Sequence, residues 1–305
     1  MKLGFLTVPF GHWPLEQVAL WAKENGFETL EVACWPAGSG DARRYAGVTH
    51  IDVDGLDDGK AEEILSMLGA AGIEISGLGY YPNNLHPDAE HRKAVNDHLR
   101  KVIGAASKLG VPVVNTFVGR DKDRSHPENM EEFRKVWPDI VAEAESLGVK
   151  VAIENCPMIF SLDEWPGGVN LAYSPAIWRE LFDVIPSDSF GLNFDPSHLV
   201  WQMIDYERAI YEFGDRIFHA HAKDLEVRRD GLYDHGVMSV GMGWQVPRLP
   251  GLGEVRWDRY FAALHAVGYD GPVVVEHEDR RFEGSDEAVI RGFHLARDVL
   301  RPYVV

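Results

Sequence analysis

Cysteine is scarce: Cys34 and Cys156 are the only two in 305 residues. A disulfide framework is therefore excluded, and the chain is expected in a reducing compartment, by default the cytoplasm. Long apolar runs are missing too. Nowhere do eighteen apolar residues follow one another, and the stretch from Met1 to Pro9 is too short for a signal peptide, so neither a membrane span nor an export signal is expected. Positive charge is in deficit, 30 Lys+Arg against 48 Asp+Glu for a net −18. A surface of that sign repels polyphosphate, and no local basic patch offsets it, which argues against nucleic acid and anionic membrane as partners. No Pro/Ser-rich linker or break in composition divides the chain. With 45% hydrophobic and 26% charged residues, wholesale disorder is excluded as well. A dinucleotide fingerprint is also lacking: the glycine cluster Gly241-Met242-Gly243 lies in an irregular segment, not between a strand and a helix.

What the sequence does contain is alternation. Short β-branched or apolar runs at about 2–8, 29–34, 73–79, 111–118, 149–154, 190–195, 216–222 and 272–276 are each followed by a stretch of helical period. The helices are expected at about 14–25, 57–71, 88–109, 127–147, 175–185, 205–213, 255–267 and 285–300. Gly26, Gly72, Gly110, Gly148 and Gly268 stand at helix-to-strand joints, where a left-handed residue stops the helix before an inward-turning apolar one. Eight such units in an unbroken chain predict an α/β fold, a single (β/α)8 TIM barrel spanning residues 1–305. The longest connection, about 224–254, exceeds an ordinary βα loop and is expected to cover the C-terminal face, with Trp244, Met242 and Leu249 as its apolar surface.

Chemistry in such a barrel sits at the C-terminal strand ends. Four consecutive strands close there on a metal-ligand side chain: Glu154, Asp195, His221 and Glu276. Neighbouring strands lie about 4.8 Å apart, so these four converge on one point at the mouth. Two Glu, one Asp and one His make a hard, oxygen-rich set suited to one divalent ion, Mn²⁺ first and Mg²⁺ or Co²⁺ next. His219 shares a face with His221 but lies one layer deeper, as expected of a hydrogen-bonded core histidine. Cys156 reads as a small apolar filler. His198, three residues after Asp195, is expected to contact substrate. Asn115, Trp35, Tyr80 and Lys223 lie near the mouth as further substrate contacts, each equally readable as packing or as a solvated side chain.

At Ile153-Glu154-Asn155, Asn193-Phe194-Asp195-Pro196-Ser197-His198, His221-Ala222-Lys223-Asp224 and Val275-Glu276-His277 the chain resembles the xylose isomerase-like barrel superfamily, in the branch of sugar phosphate isomerases and epimerases. That branch includes ketose 3-epimerases, inosose dehydratases and isomerases, and hydroxypyruvate isomerases. The resemblance implies that Glu154, Asp195, His221 and Glu276 bind one divalent metal, that the two glutamates handle protons, and that His198 touches substrate. Two positions depart from the ketose 3-epimerase pattern: Phe160 stands where a second glutamate would, and Val227, with Arg228 beside it, where an arginine would. His221-Ala222-Lys223-Asp224 looks more like the inosose and dehydratase branches.

The expected partner is a small carbohydrate, in a chain that could also form a homo-oligomer. The expected reaction is isomerisation or epimerisation of a keto-sugar or inosose, by proton abstraction next to a carbonyl with Glu154, Glu276 and His198 as catalytic groups and an enediolate stabilised by the metal. Elimination of water or an alkoxide from the same kind of substrate is the alternative. A phosphodiesterase on the same barrel conflicts with the net charge, and a non-catalytic sugar-binding barrel is the remaining reading.

Overall fold

Eight parallel strands close on themselves in the computed structural model, which describes residues 1–38, 46–159, 168–237 and 243–304. They are β1 (Lys2–Leu6), β2 (Thr29–Ala33), β3 (Glu74–Gly79), β4 (Val113–Thr116), β5 (Lys150–Glu154), β6 (Phe190–Phe194), β7 (Ile217–Ala222) and β10 (Pro272–Val275). Each pairs with its neighbours in sequence, and β10 returns to β1 with Leu3 opposite Val273 and Phe5 opposite Val275. The fold is the (β/α)8 barrel expected from the alternation.

Helices alternate with the strands: α1 (Leu15–Glu24), α2 (Asp58–Ala71), α3 (Ala89–Lys108), α4 (His126–Ser146), α5 (Pro175–Val184), the short α6 (Ser197–Trp201), α7 (Tyr206–Phe213), α9 (Trp257–Ala266) and α10 (Asp286–Leu300). Side chains that accept from backbone N–H groups open several of them, including Asp57, Asp88, Asp205 and Ser285, and Ser125 forms a full capping box with Glu128. Such caps satisfy donors the helix cannot, each worth about 1 kcal/mol. At the other ends Gly72 and Gly110 have φ of +68° and +66°, the left-handed stop anticipated at these joints. The seam between first and last units is closed by aromatic rings: Phe5 of β1 packs on Phe293 of α10 at 4.6 Å and edge-on to Phe27 at 5.0 Å.

Two local expectations need correction. The sixth and eighth strands end at Phe194 and Val275, so Asp195 and Glu276 are the first residues beyond the ladder rather than its last. The connection at 224–254 is not irregular. Asp224–Val227 (β8) pairs antiparallel with Gln245–Arg248 (β9), and Arg229–His235 forms α8 between them. Four-residue strands separated by seventeen residues carry no periodicity long enough to be read from sequence. Met242 and Phe160 lie outside the described residues.

The base of this hairpin is fastened by buried charge. Asp224 accepts from the backbone N–H groups of Leu225, Gly251 and Val255 and from the Trp257 indole, at 2.9–3.0 Å. Arg248 donates to Asp279 (2.9 Å) and Glu226 (2.7 Å). No described helix is long and apolar enough to cross a membrane.

Candidate metal and substrate site

Parallel packing buries both faces of a barrel strand, so a charged side chain at its end must be paired or aimed into the mouth. Glu154 closes β5, and Asp195 and Glu276 follow β6 and β10 directly. His221 sits on β7 one residue before its end. The structure brings these four together. Single ligand atoms of Glu154, Asp195, Glu276 and His198 all lie within 4.8 Å of one another, and His221 Nδ1 is 3.4 Å from Glu276 Oε2 and 3.9 Å from Glu154 Oε1. Glu154 and Asp195 are buried, at 2% and 0% exposure.

Three of the converging atoms, Glu154 Oε1, Asp195 Oδ2 and His221 Nδ1, are buried and make no well-formed hydrogen bond among the described residues, their polar neighbours being the His198 ring, the Lys223 ammonium and Glu276. Buried acceptors whose hydrogen bonds are so poorly formed are uncommon. Aimed at one point, they fit a divalent cation, and the three carboxylates with one imidazole make a hard donor set.

His198 stands on the first turn of α6, with Nε2 3.3 Å from both Glu154 Oε1 and Asp195 Oδ2. Lys223, the first residue after β7, is buried. Its ammonium reaches Glu276 Oε2 (2.6 Å), Asp195 Oδ2 (3.2 Å), Glu278 Oε2 (3.2 Å) and His198 Nε2 (3.0 Å). Burial pushes the Glu154 carboxyl above the usual range, and the Glu276 charge adds to this. Burial acts the same way on Glu276, but the Lys223 ammonium and His221 outweigh it and hold that carboxyl down. Lys223 is held well above the ordinary lysine range, because Glu276, Glu278 and Asp195 overcome the cost of its burial.

Below this mouth lies a second polar layer. His221 Nε2 is 2.8 Å from Glu31 Oε2, whose other oxygen accepts from the Tyr81 hydroxyl. The Asn193 amide nitrogen is 3.1 Å from that hydroxyl and 3.0 Å from His221 Nε2, while its oxygen is 3.0 Å from His219 Nδ1. His219 Nε2 lies 3.2 Å from the Ser76 hydroxyl, and burial pushes this imidazole down to about 4, which keeps it neutral.

Of the other residues anticipated near the mouth, Asn115 is fully buried on β4, opposite Ala152, a layer below Glu154. Trp35 lies between two tyrosine rings, 5.9 Å from Tyr80 and 6.0 Å from Tyr81. Tyr80 itself faces outward onto His98 of α3 at 4.7 Å, and the tyrosine that reaches the polar layer is its neighbour Tyr81. Cys156 is buried beside His198 and Glu154, where its Sγ accepts from the Met158 N–H at 3.3 Å.

Glu31 and Tyr81 were not anticipated. A signal for Glu31 existed: Thr29-Leu30-Glu31-Val32-Ala33 sets one charge inside an otherwise apolar strand, every residue of which is buried. Tyr81 carried no such signal, because choosing between adjacent tyrosines requires knowing which faces inward.

A family model of the xylose isomerase-like TIM barrel matches residues 19–299. An uncharacterized protein of Bacillus subtilis, YfiH, is 28% identical, with 95% of this chain and 96% of YfiH covered. Three solved structures share the fold over nearly their whole length. D-psicose 3-epimerase from Clostridium cellulolyticum, solved with D-tagatose, aligns over 100% of this chain and 99% of its own at TM-score 0.69 and 17% identity. The IolI protein with a bound zinc atom and the probable 3-DHS dehydratase AsbF of Bacillus anthracis both align at TM-score 0.70 over 99% of each chain, at 19% and 18% identity. With the family model running through all but the ends of the barrel that carries these side chains, the chain belongs to the xylose isomerase-like TIM barrel family.

Proposed function

We propose that this chain is a divalent-metal-dependent isomerase or epimerase of a keto-sugar or inosose. The observation that carries the reading is the convergence of buried ligand atoms: Glu154, Asp195 and Glu276 each bring an oxygen within 4.8 Å of the others, with His221 Nδ1 3.4 Å from Glu276 Oε2 and 3.9 Å from Glu154 Oε1. Glu154, Asp195, His221 and Glu276 would hold the ion, with manganese the first candidate and magnesium or cobalt next. When bound, it would offset the negative charge that develops on a substrate carbonyl oxygen as a proton leaves the adjacent carbon.

The chain's own groups do the rest. Glu154 on β5 and Glu276 after β10 approach the mouth from separated strands, so one carboxylate can take a proton from the sugar carbon while the other returns one. Lys223 places an ammonium, and His198 a ring nitrogen that accepts from it, at the same point, where the ammonium can donate to sugar hydroxyls. The β8–β9 hairpin leaves the barrel directly after Lys223. It acts as a wall over the mouth that limits water and selects the substrate. The proposed partner is thus a small carbohydrate.

A second reading, elimination of water or an alkoxide, is favoured by one observation: the Lys223 ammonium stands beside the carboxylates and donates to His198 Nε2, a proton supply that a β-leaving group would need. Incubating the manganese-loaded protein with a panel of keto-sugars and inososes in deuterium oxide tests both. A deuterated epimer or isomer supports the first reading and an unsaturated product the second. Absence of any bound or restorable divalent ion would sink both.

A further inference from the structure

The proposed chemistry leaves Glu31 without a task, although it is a fully buried carboxylate in the middle of an apolar strand. Desolvating a carboxylate is expensive unless each oxygen is answered. Here Oε2 meets His221 Nε2 at 2.8 Å and Oε1 accepts from the Tyr81 hydroxyl. The backbone makes room for this group: a Cβ on Gly79 would come within 2.7 Å of Glu31 Oε1 and 3.1 Å of the Tyr81 ring.

With Oε1 taken by the Tyr81 hydroxyl, Oε2 is the oxygen left to accept from the ring of His221. At 2.8 Å this contact is shorter than the 3.0 Å from the Asn193 amide nitrogen to the same Nε2, so the hydrogen on Nε2 points to Glu31 and the imidazole is anchored from below by that bond. The nitrogen left facing the mouth is Nδ1, 3.4 Å from Glu276 Oε2 and 3.9 Å from Glu154 Oε1. We propose that Glu31, held by Tyr81 and seated against Gly79, is a positioning residue that fixes the orientation and proton placement of His221, so that Nδ1 is presented to the ion. This rests on the metal site proposed above. The alternative is a buried pair that only holds β2 against β7 across the barrel.

Titration of Mn²⁺ into the full-length protein, with free ion read by electron paramagnetic resonance, separates the two. Glu31→Gln keeps an acceptor but removes the charge, and it should weaken Mn²⁺ binding by about 10–100-fold, the usual effect of losing such a supporting partner. Tyr81→Phe leaves the charge but frees the carboxylate, and should weaken binding by a smaller factor. The absorption bands of the Co²⁺-loaded form should shift in Glu31→Gln while the far-ultraviolet circular dichroism stays that of the unmodified protein. If Glu31→Gln folds, binds Mn²⁺ as tightly as the unmodified chain and leaves the Co²⁺ bands unchanged, the positioning role is wrong and the metal site stands. Should Glu31→Gln fail to fold, an unchanged Mn²⁺ affinity in Tyr81→Phe overturns the proposal. If the unmodified chain binds neither ion, the site reading itself falls, and this one with it.

Discussion

Glu276 is the residue on which two demands converge. Its Oε2 is within 3.4 Å of His221 Nδ1 and bonds the Lys223 ammonium, so one oxygen belongs both to the donor set and to the ion-pair network. Glu276→Gln keeps the shape and removes the charge. Metal content after dialysis, read by elemental analysis, should drop well below that of the unmodified protein. His198 behaves differently if it serves substrate. His198→Ala should retain metal yet lose about 2–4 orders of magnitude in turnover, the scale of a general acid or base. Loss of metal in step with turnover would make His198 a ligand. The four convergent residues were legible because each interrupts an apolar run at a strand end. Tyr80 and Tyr81 show the limit: a shift of one residue moves a side chain to the opposite face, and a short strand's exit does not announce its register.

The hairpin of β8 and β9 is an element whose length could be read from sequence but whose construction could not. Trp244 and Leu249 were anticipated as apolar surface over the site. Both are buried, Trp244 edge-on to Trp201 of the α6 end at 6.2 Å and Leu249 at the base of the hairpin. Arg248 is 1% exposed and pairs with the fully buried Asp279. Arg248→Ala would leave that carboxylate with backbone donors but no buried counter-ion, and urea unfolding should show a loss of about 3–5 kcal/mol, typical of breaking a buried pair from one side. Function is tested elsewhere in the element. Replacing 229–243 with a short Gly/Ser linker spares β9, Arg248 and the contacts of Asp224. If the hairpin walls the mouth, that variant should bind metal normally, turn over more slowly and accept a broader range of sugars. Unchanged selectivity in the panel described above would remove the wall from the account.

At the scale of the whole molecule, the proposed ion would couple to the barrel, because Glu154, Asp195, His221 and Glu276 lie on or directly after β5, β6, β7 and β10, elements spread over more than 120 residues of chain. Binding that is confined to the folded state stabilises it by mass action, about 2.7 kcal/mol when free ligand is a hundredfold above its dissociation constant. Chelator treatment should therefore lower the thermal midpoint, and Mn²⁺ should restore it. An unchanged midpoint after verified metal removal would contradict a site built from four strands. The barrel was legible in the sequence since each βα unit repeats the same local grammar of apolar strand, polar exit, capped helix and left-handed glycine stop. Those signals depend on neighbours a few residues apart, and so they survive in one dimension. Convergence of Glu154, Asp195, His221 and Glu276 followed from the same regularity, because a closed barrel brings all its strand ends to one rim. What only the tertiary structure decided was contact across the lumen and outside the repeat: Glu31 beneath His221, Tyr81 inward instead of Tyr80, the β8–β9 pairing, and Arg248 on Asp279. These depend on strand register and on side chains separated by up to 190 residues, and no local pattern records which of them will meet.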